Sequence, residues 1–358
     1  MAVRPRTAGC KYLIRRKLKT QVSKQGRDMR KLIFGIAASL LMTVSAMAMD
    51  AKPAVVYDKG GKFDGSFNQA AYDGAERFKT ETGIEYREFE VTDDAQREQA
   101  MRRFARDGNN PIVVIGFSQA AALEKVAKEY PDINFAIVDM VVELPNVRSI
   151  VFKEHEGSFL VGVMAAKASK TGKVGFVGGM DIPLIRKFAC GYVGGVKSVN
   201  ADAEVIQNMT GTTGAAWNDP TKGGELARAQ MDQGADVIYH AAGGTGFGVL
   251  QAVADAGKLG IGVDSNQNHL HPGNILTSML KRVDVAVYDA FSDVNNGTWS
   301  AGFEVLGLKE GGVDIAMDEH NKPLVGGDMM AAVESAKSGI IDGSVTVHDY
   351  MSDNSCPY

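Results

Sequence analysis

The chain has 358 residues, 45% of them hydrophobic, which allows two domains or one large α/β domain. Its net charge of -4 hides two unlike parts, because residues 1–48 hold eleven Lys/Arg against the single acid Asp28 and leave 28 basic and 42 acidic residues beyond. So acidic a body excludes a general nucleic-acid binder, which needs a basic face.

Residues 1–48 read as a signal segment. From Met29, Arg30 and Lys31 give a positive start, and Leu32–Val44 form an apolar run broken only by Gly35, Ser39 and Thr43. Ala46-Met47-Ala48 then supplies a small-x-small cleavage pattern. The run is short for a membrane span, and no basic cluster follows it. Residues 1–28 are read either as a misassigned extension before a true start at Met29 or as a long basic leader to the apolar run. The mature protein is expected in the periplasm, cleaved near Ala48. No cysteine stands at the cleavage site, so no lipid anchor is expected. Processing removes Cys10 and leaves Cys190 and Cys356, an even pair that can form a disulfide in an oxidising compartment. Sequence does not set the distance between their Cα atoms.

From Lys52, short apolar runs alternate with amphipathic stretches. Strands are predicted over 54–57, 84–91, 111–116 and 134–139, with helices over 66–81, 93–107 and 118–130, where Asp93 and Ser118 are expected N-caps. The alternation restarts after Val151. Strands are predicted over 173–178, 204–209, 236–241 and 260–264, with helices over 156–169, 183–200, 219–233 and 246–256. The remaining residues add a strand over 274–278, a helix over 283–295 and a carboxy-terminal strand and helix. Strand–helix alternation implies parallel sheets covered on both faces. Two such series imply two similar Rossmann-like lobes, and the tail completes both by crossing between them three times. The expected division is 49–153 with 265–298 for the N-terminal lobe and 154–264 with 299–358 for the C-terminal lobe.

Ligands of such folds meet loops at the carboxyl ends of parallel strands. These loops carry Asp64-Gly-Ser-Phe67-Asn68-Gln69, Gly116-Phe117-Ser118, Asp139-Met140, Thr213–Trp217, Gly243-Gly244-Thr245-Gly246, Asp264-Ser265-Asn266 and Lys281. Carboxylates, amides, a lysine and two aromatics suit a polar ligand with a flat ring, held between aromatic faces with acids on its hydroxyls. The glycines from Gly244 run Gly-x-Gly-x-Gly, which is not the dinucleotide fingerprint. The His269-Leu-His271 pair lacks the further donors a metal needs, and no serine has a nucleophile-elbow context. No cofactor, metal or catalytic residue is predicted.

Taken as a set, these motifs resemble the basic membrane protein family of purine nucleoside receptors, from Asp64-Gly-Ser-Phe67-Asn68 and Val138-Asp139-Met140 through Glu156-Gly157-Ser158-Phe159-Leu160-Val161-Gly162. Trp217-Asn-Asp219-Pro-Thr-Lys222-Gly, Gly262-Val263-Asp264-Ser265-Asn266-Gln267 and Ser278-Met279-Leu280-Lys281 continue the match in order. The resemblance implies a type I periplasmic-binding fold with a central ligand cleft between the lobes. It also implies that Phe67 stacks on a purine and that Trp217, where the family usually has phenylalanine, covers its other face. Asp264 and Lys281 would hold the ribose hydroxyls, and Asp64, Asn68 and Asp139 the base or adjacent sugar atoms. Ser118, Gly243 and Gly244 complete the candidate set. The expected ligand is guanosine, inosine or adenosine, and the expected partner an ABC transporter permease of the inner membrane. Two other readings are an exported receptor for a sugar or signal and a nucleoside-processing enzyme. Amino-terminal sequencing of the exported protein is expected to begin near Met49; a chain beginning upstream of Leu32 would refute the signal assignment.

Overall fold

The computed structural model describes residues 51–358, so the signal segment and its cleavage pattern lie outside the described residues. The first lobe begins with β1 (Ala54–Tyr57), α1 (Phe67–Thr82), β2 (Arg87–Glu90), α2 (Gln96–Arg106), β3 (Ile112–Ile115), α3 (Ala120–Glu129), β4 (Phe135–Val138) and β5 (Val147–Phe152). The chain then crosses into the second lobe. There it forms α4 (Glu154–Ala168), β6 (Lys173–Met180), α5 (Pro183–Val199), β7 (Glu204–Gly211), α6 (Pro220–Asp232), β8 (Val237–Ala241), α7 (Gly246–Asp255), β9 (Leu259–Asp264) and β10 (Ile275–Lys281). It returns for α8 (Val283–Asn296) and β11 (Gly302–Leu306), and crosses again to β12 (Val313–Ile315) and α9 (Gly327–Asp342). The chain thus passes between the lobes three times, at 152–154, 281–283 and 306–313.

Each lobe is built on a six-stranded sheet, ordered β11-β5-β4-β3-β1-β2 in the first and β12-β10-β9-β8-β6-β7 in the second. The topologies match strand for strand. All pairings are parallel except β12 on β10. Strands β1, β3, β4 and β8 are buried along their whole length because helices cover both faces. Helices α1 and α8 pack together on the first sheet and α2 with α3; α4, α5 and α9 form one layer of the second lobe and α6 with α7 the other. The core on the α1, α8, α4 and α5 side runs without a break from one lobe to the other.

Three expectations are corrected. Residues 275–281 belong to the second sheet, since β10 pairs with β9, and it is β11 that completes the first sheet against β5. Apolar patterning finds strands but not the sheet they join. Strand β5 was not predicted because Arg148 and Ser149 interrupt its apolar run. Both are buried, Arg148 paired with Asp293 at 2.7 Å and stacked on Trp299, and Ser149 bonded to the Val142 backbone. The third concerns the caps. Asp93 accepts the Ala95 N–H in the turn before α2, while the Ser118 hydroxyl bonds Asp58 and caps nothing. Asp219 does cap α6, accepting the Lys222 N–H at 2.9 Å.

Cys190, buried in α5, is joined to Cys356 across a Cα–Cα distance of 5.6 Å. The bridge fastens the carboxy-terminal tail to α5, and Tyr358 packs against Gly194 of the same helix. Closing so long a loop restricts the unfolded chain. Cys356→Ser is expected to lower the unfolding free energy by about 2–5 kcal/mol, read as a fall in the denaturation midpoint; an unchanged midpoint would contradict this.

Candidate ligand-binding site

The carboxyl ends of both sheets face a cleft between the lobes. From the first lobe it is lined by Asp58, Lys59, Asp64, Phe67, Asn68, Gly116, Phe117 and Asp139. From the second it is lined by Leu184, Ile185, Phe188, Trp217, Ala241, Ala242, Gly243, Val263, Asp264 and Lys281. Eight of the sequence-predicted residues therefore meet in one cavity. Ser118 and Gly244 do not line it. Ser118 holds Asp58 at 2.6 Å from an adjoining outer chamber, and buried Gly244 sits beneath Trp217.

The polar residues divide by what occupies them. Both oxygens of Asp64 serve the start of α1, accepting the N–H groups of Ser66, Asn68 and Gln69 at 2.8–3.1 Å. The Asn68 amide is spent on the preceding loop: it accepts the Asp58 N–H and donates to the carbonyls of Asp58 and Gly61. Its contribution is to shape the loop. Asp139 and Asp264 stand at the ends of β4 and β9, the matching fourth strands of the two chain series, and both adopt left-handed backbone at φ 70° and 63°. Aspartate tolerates this conformation better than most residues, and the turn aims each carboxylate across the cleft.

The lobes touch through these groups. Ser66 donates to Asp264 at 2.5 Å, Ser265 to the Ser66 carbonyl at 2.8 Å, and Gln267 to the Gly65 carbonyl at 3.0 Å. Gly65 has φ +64°, and a Cβ there would lie 2.4 Å from the Phe247 ring, so only glycine lets this loop dock. Lys281 donates to Asp139 at 2.7 Å and pairs with Glu154 at 2.9 Å. Its ammonium also lies 5.0 Å from the Phe67 ring centre and 5.6 Å from that of Phe188. Trp217 is seated on bare backbone, because a Cβ at Gly179 would fall 2.2 Å from its indole.

Sequence reasoning missed Asp58, Phe188 and Glu154, and from the Gly116-Phe117-Ser118 loop it chose Ser118 where Phe117 lines the cleft. Asp58 is the first residue beyond β1, so the strand-end rule that selected Asp139 would have selected it too. Phe188 lies one turn after Leu184 on α5 and its pattern is that of an ordinary core residue.

Burial dominates the charges. It pushes Asp64, Asp139 and Asp264 up to about 6, against the pull of backbone N–H groups on Asp64 and of Lys281 on the other two. Burial alone would depress Lys281, but Asp139, Glu154 and Asp264 outweigh it and hold the ammonium above its ordinary range.

A family model described as ABC transporter substrate-binding protein, PnrA-like, matches residues 51–348. The chain belongs to this family. It is 33% identical over 357 residues to the ABC transporter nucleoside-binding protein BmpA of Lactococcus lactis, covering 89% of this chain and 99% of that one. A solved ABC transporter solute-binding protein from Aeropyrum pernix superposes with a TM-score of 0.77 at 33% identity, covering 84% of this chain and 93% of that chain. An uncharacterised lipoprotein of Pyrococcus abyssi is 36% identical over 80% of this chain and 77% of its own length. The family comprises solute-binding proteins of ABC transporters, not enzymes. The lipoprotein name stands against the expectation of an unanchored chain.

An aspartate held near 6 in the fold and near 3.8 when unfolded stabilises the protein at low pH and loses that contribution as pH rises through 6. His155 and His240, which burial lowers, act oppositely in the same window, their contribution lost as pH falls. The difference between variants isolates one group. Ligand-free Asp264→Asn is expected to gain melting temperature relative to wild type at pH 7.5 and to lose that gain towards pH 5. A difference independent of pH would refute the assignment.

Proposed function

We propose that the protein captures a purine nucleoside between its lobes and presents the closed complex to an ABC permease in the inner membrane. The observation that supports this reading is that Phe67 of the first lobe and Trp217 of the second line the same cleft as Asp58, Asp139, Asp264 and Lys281. Aromatic faces from both lobes suit a planar base, and carboxylates suit the hydroxyl donors of a ribose. Kinship with a protein named for nucleoside binding supports it. A ligand that touches both lobes stabilises the arrangement in which they meet, so binding shifts the population towards closure. No covalent bond changes.

The proposed location is the periplasm, reached by cleavage near Ala48.

Base–aromatic stacking contributes about 1–3 kcal/mol. Trp217→Ala is therefore expected to weaken guanosine or inosine binding by roughly ten- to a hundredfold, measured by calorimetry. Because Trp217 is only half-buried, the melting temperature of the ligand-free variant should change little. Unchanged affinity would sink the stacking assignment. Binding of a sugar with no response to nucleosides would replace the ligand class.

A further inference from the structure

Two charged residues stand behind the cleft, one of them the Glu154 already seen paired with Lys281. Glu154 opens α4 at the first crossing between lobes and is 1% exposed. Lys187, on α5, is 6% exposed. Neither lines the cleft. One Glu154 oxygen lies 2.9 Å from the Lys281 ammonium and the other 2.9 Å from that of Lys187. Lys187 also donates to the carbonyl of Phe152, the last residue of β5, at 2.7 Å, and faces Asp349 of the tail at 3.7 Å. Charges of alternating sign thus run inward from the tail: Asp349, Lys187, Glu154, Lys281, Asp139.

The chain of charges changes lobe at a single link. Glu154, Lys187 and Lys281 all belong to the second lobe, whereas Asp139 belongs to the first. A lysine ends a flexible four-carbon stem and takes its position from its counter-ions. If Asp139 were the sole partner of Lys281, the ammonium would be fixed only when the lobes meet. A carboxylate buried against two ammonium groups, by contrast, cannot give up either cheaply.

We infer that Glu154, balanced by Lys187, is a positioning residue that anchors the Lys281 ammonium in the second lobe, so that closure adds Asp139 to a cation already in place. Glu154 then acts on the ligand only through Lys281. This rests on the reading that Lys281 contacts a bound nucleoside.

The test is a double-mutant cycle with guanosine as the probe. Glu154→Gln keeps the side-chain shape and should weaken binding by about tenfold, a coupling typical of residues sharing one charge network. In a Lys281→Met background the same substitution should change affinity less than twofold, and Glu154→Asp should recover part of the loss. An equal loss with and without Lys281, or no loss at all, overturns the proposal. Lys187→Met carries the same cycle if Glu154→Gln does not fold. Wild-type protein provides a readout that needs no ligand and no variant: side-chain ¹⁵N NMR of the ligand-free protein should find the Lys281 ammonium protons in slow exchange. Exchange at the rate of a solvated lysine overturns the anchor. Failure of wild type to bind guanosine, with Lys281 still protected, rejects the ligand assignment and leaves the anchor standing.

Discussion

An ammonium ion withdrawn from water must be surrounded by opposite charge, and Lys281 is 2% exposed. Its surroundings account for much of the molecule's design. Asp139 reaches it only because the end of β4 turns into left-handed backbone. Glu154 reaches it because the first crossing delivers the start of α4 to the base of the cleft. Three aromatic rings, Phe67, Phe152 and Phe188, enclose the same ammonium within 5.0–5.6 Å. Cation–π attraction of this kind is stronger where water is excluded. One lysine thus brings together a strand end, a hinge, a helix and both lobes.

The balance of sign in the cleft also constrains what enters it. Asp58, Asp64, Asp139 and Asp264 face the cavity, against Lys59 and Lys281. Lys59 is drawn outward to Asp94 at 2.7 Å, leaving Lys281 as the inner cation. With four carboxylates against one inner cation that is already paired with Asp139 and Glu154, the charge of the cleft opposes a ligand that carries a phosphate.

Much of this was legible in the sequence. Alternating apolar runs gave nearly every strand and helix, and the rule that ligands sit at strand ends selected Asp139, Asp264 and Trp217. What was hidden has a physical reason in each case. Strand β5 escaped because Arg148 and Ser149 find partners that appear only in the folded chain. Residues 275–281 were given to the wrong lobe because pairing with β9 is a long-range fact that no local pattern encodes. Asn68 was chosen as a ligand contact, yet its amide is consumed by the loop beside it, and composition cannot reveal how a side chain's donors are shared out. Glu154 looked like one acid among many at the head of a helix. Its distinction is a pair of lysines, 33 and 127 positions further along the chain.

The bridge between Cys190 and Cys356 closes a covalent ring over a separation of 166 residues. That ring contains two of the three crossings, and so encircles α8 and β11 of the first lobe along with most of the second. The ring cannot be sealed until residue 356 has been synthesised, by which time every strand of both sheets already exists. The order of events is fixed by connectivity: the sheets are available to pair first, and the covalent seal comes last. Once it is made, mechanical extension of the chain from its ends can draw out only what lies outside the ring, and everything from β7 to α9 stays looped together until the sulfurs part.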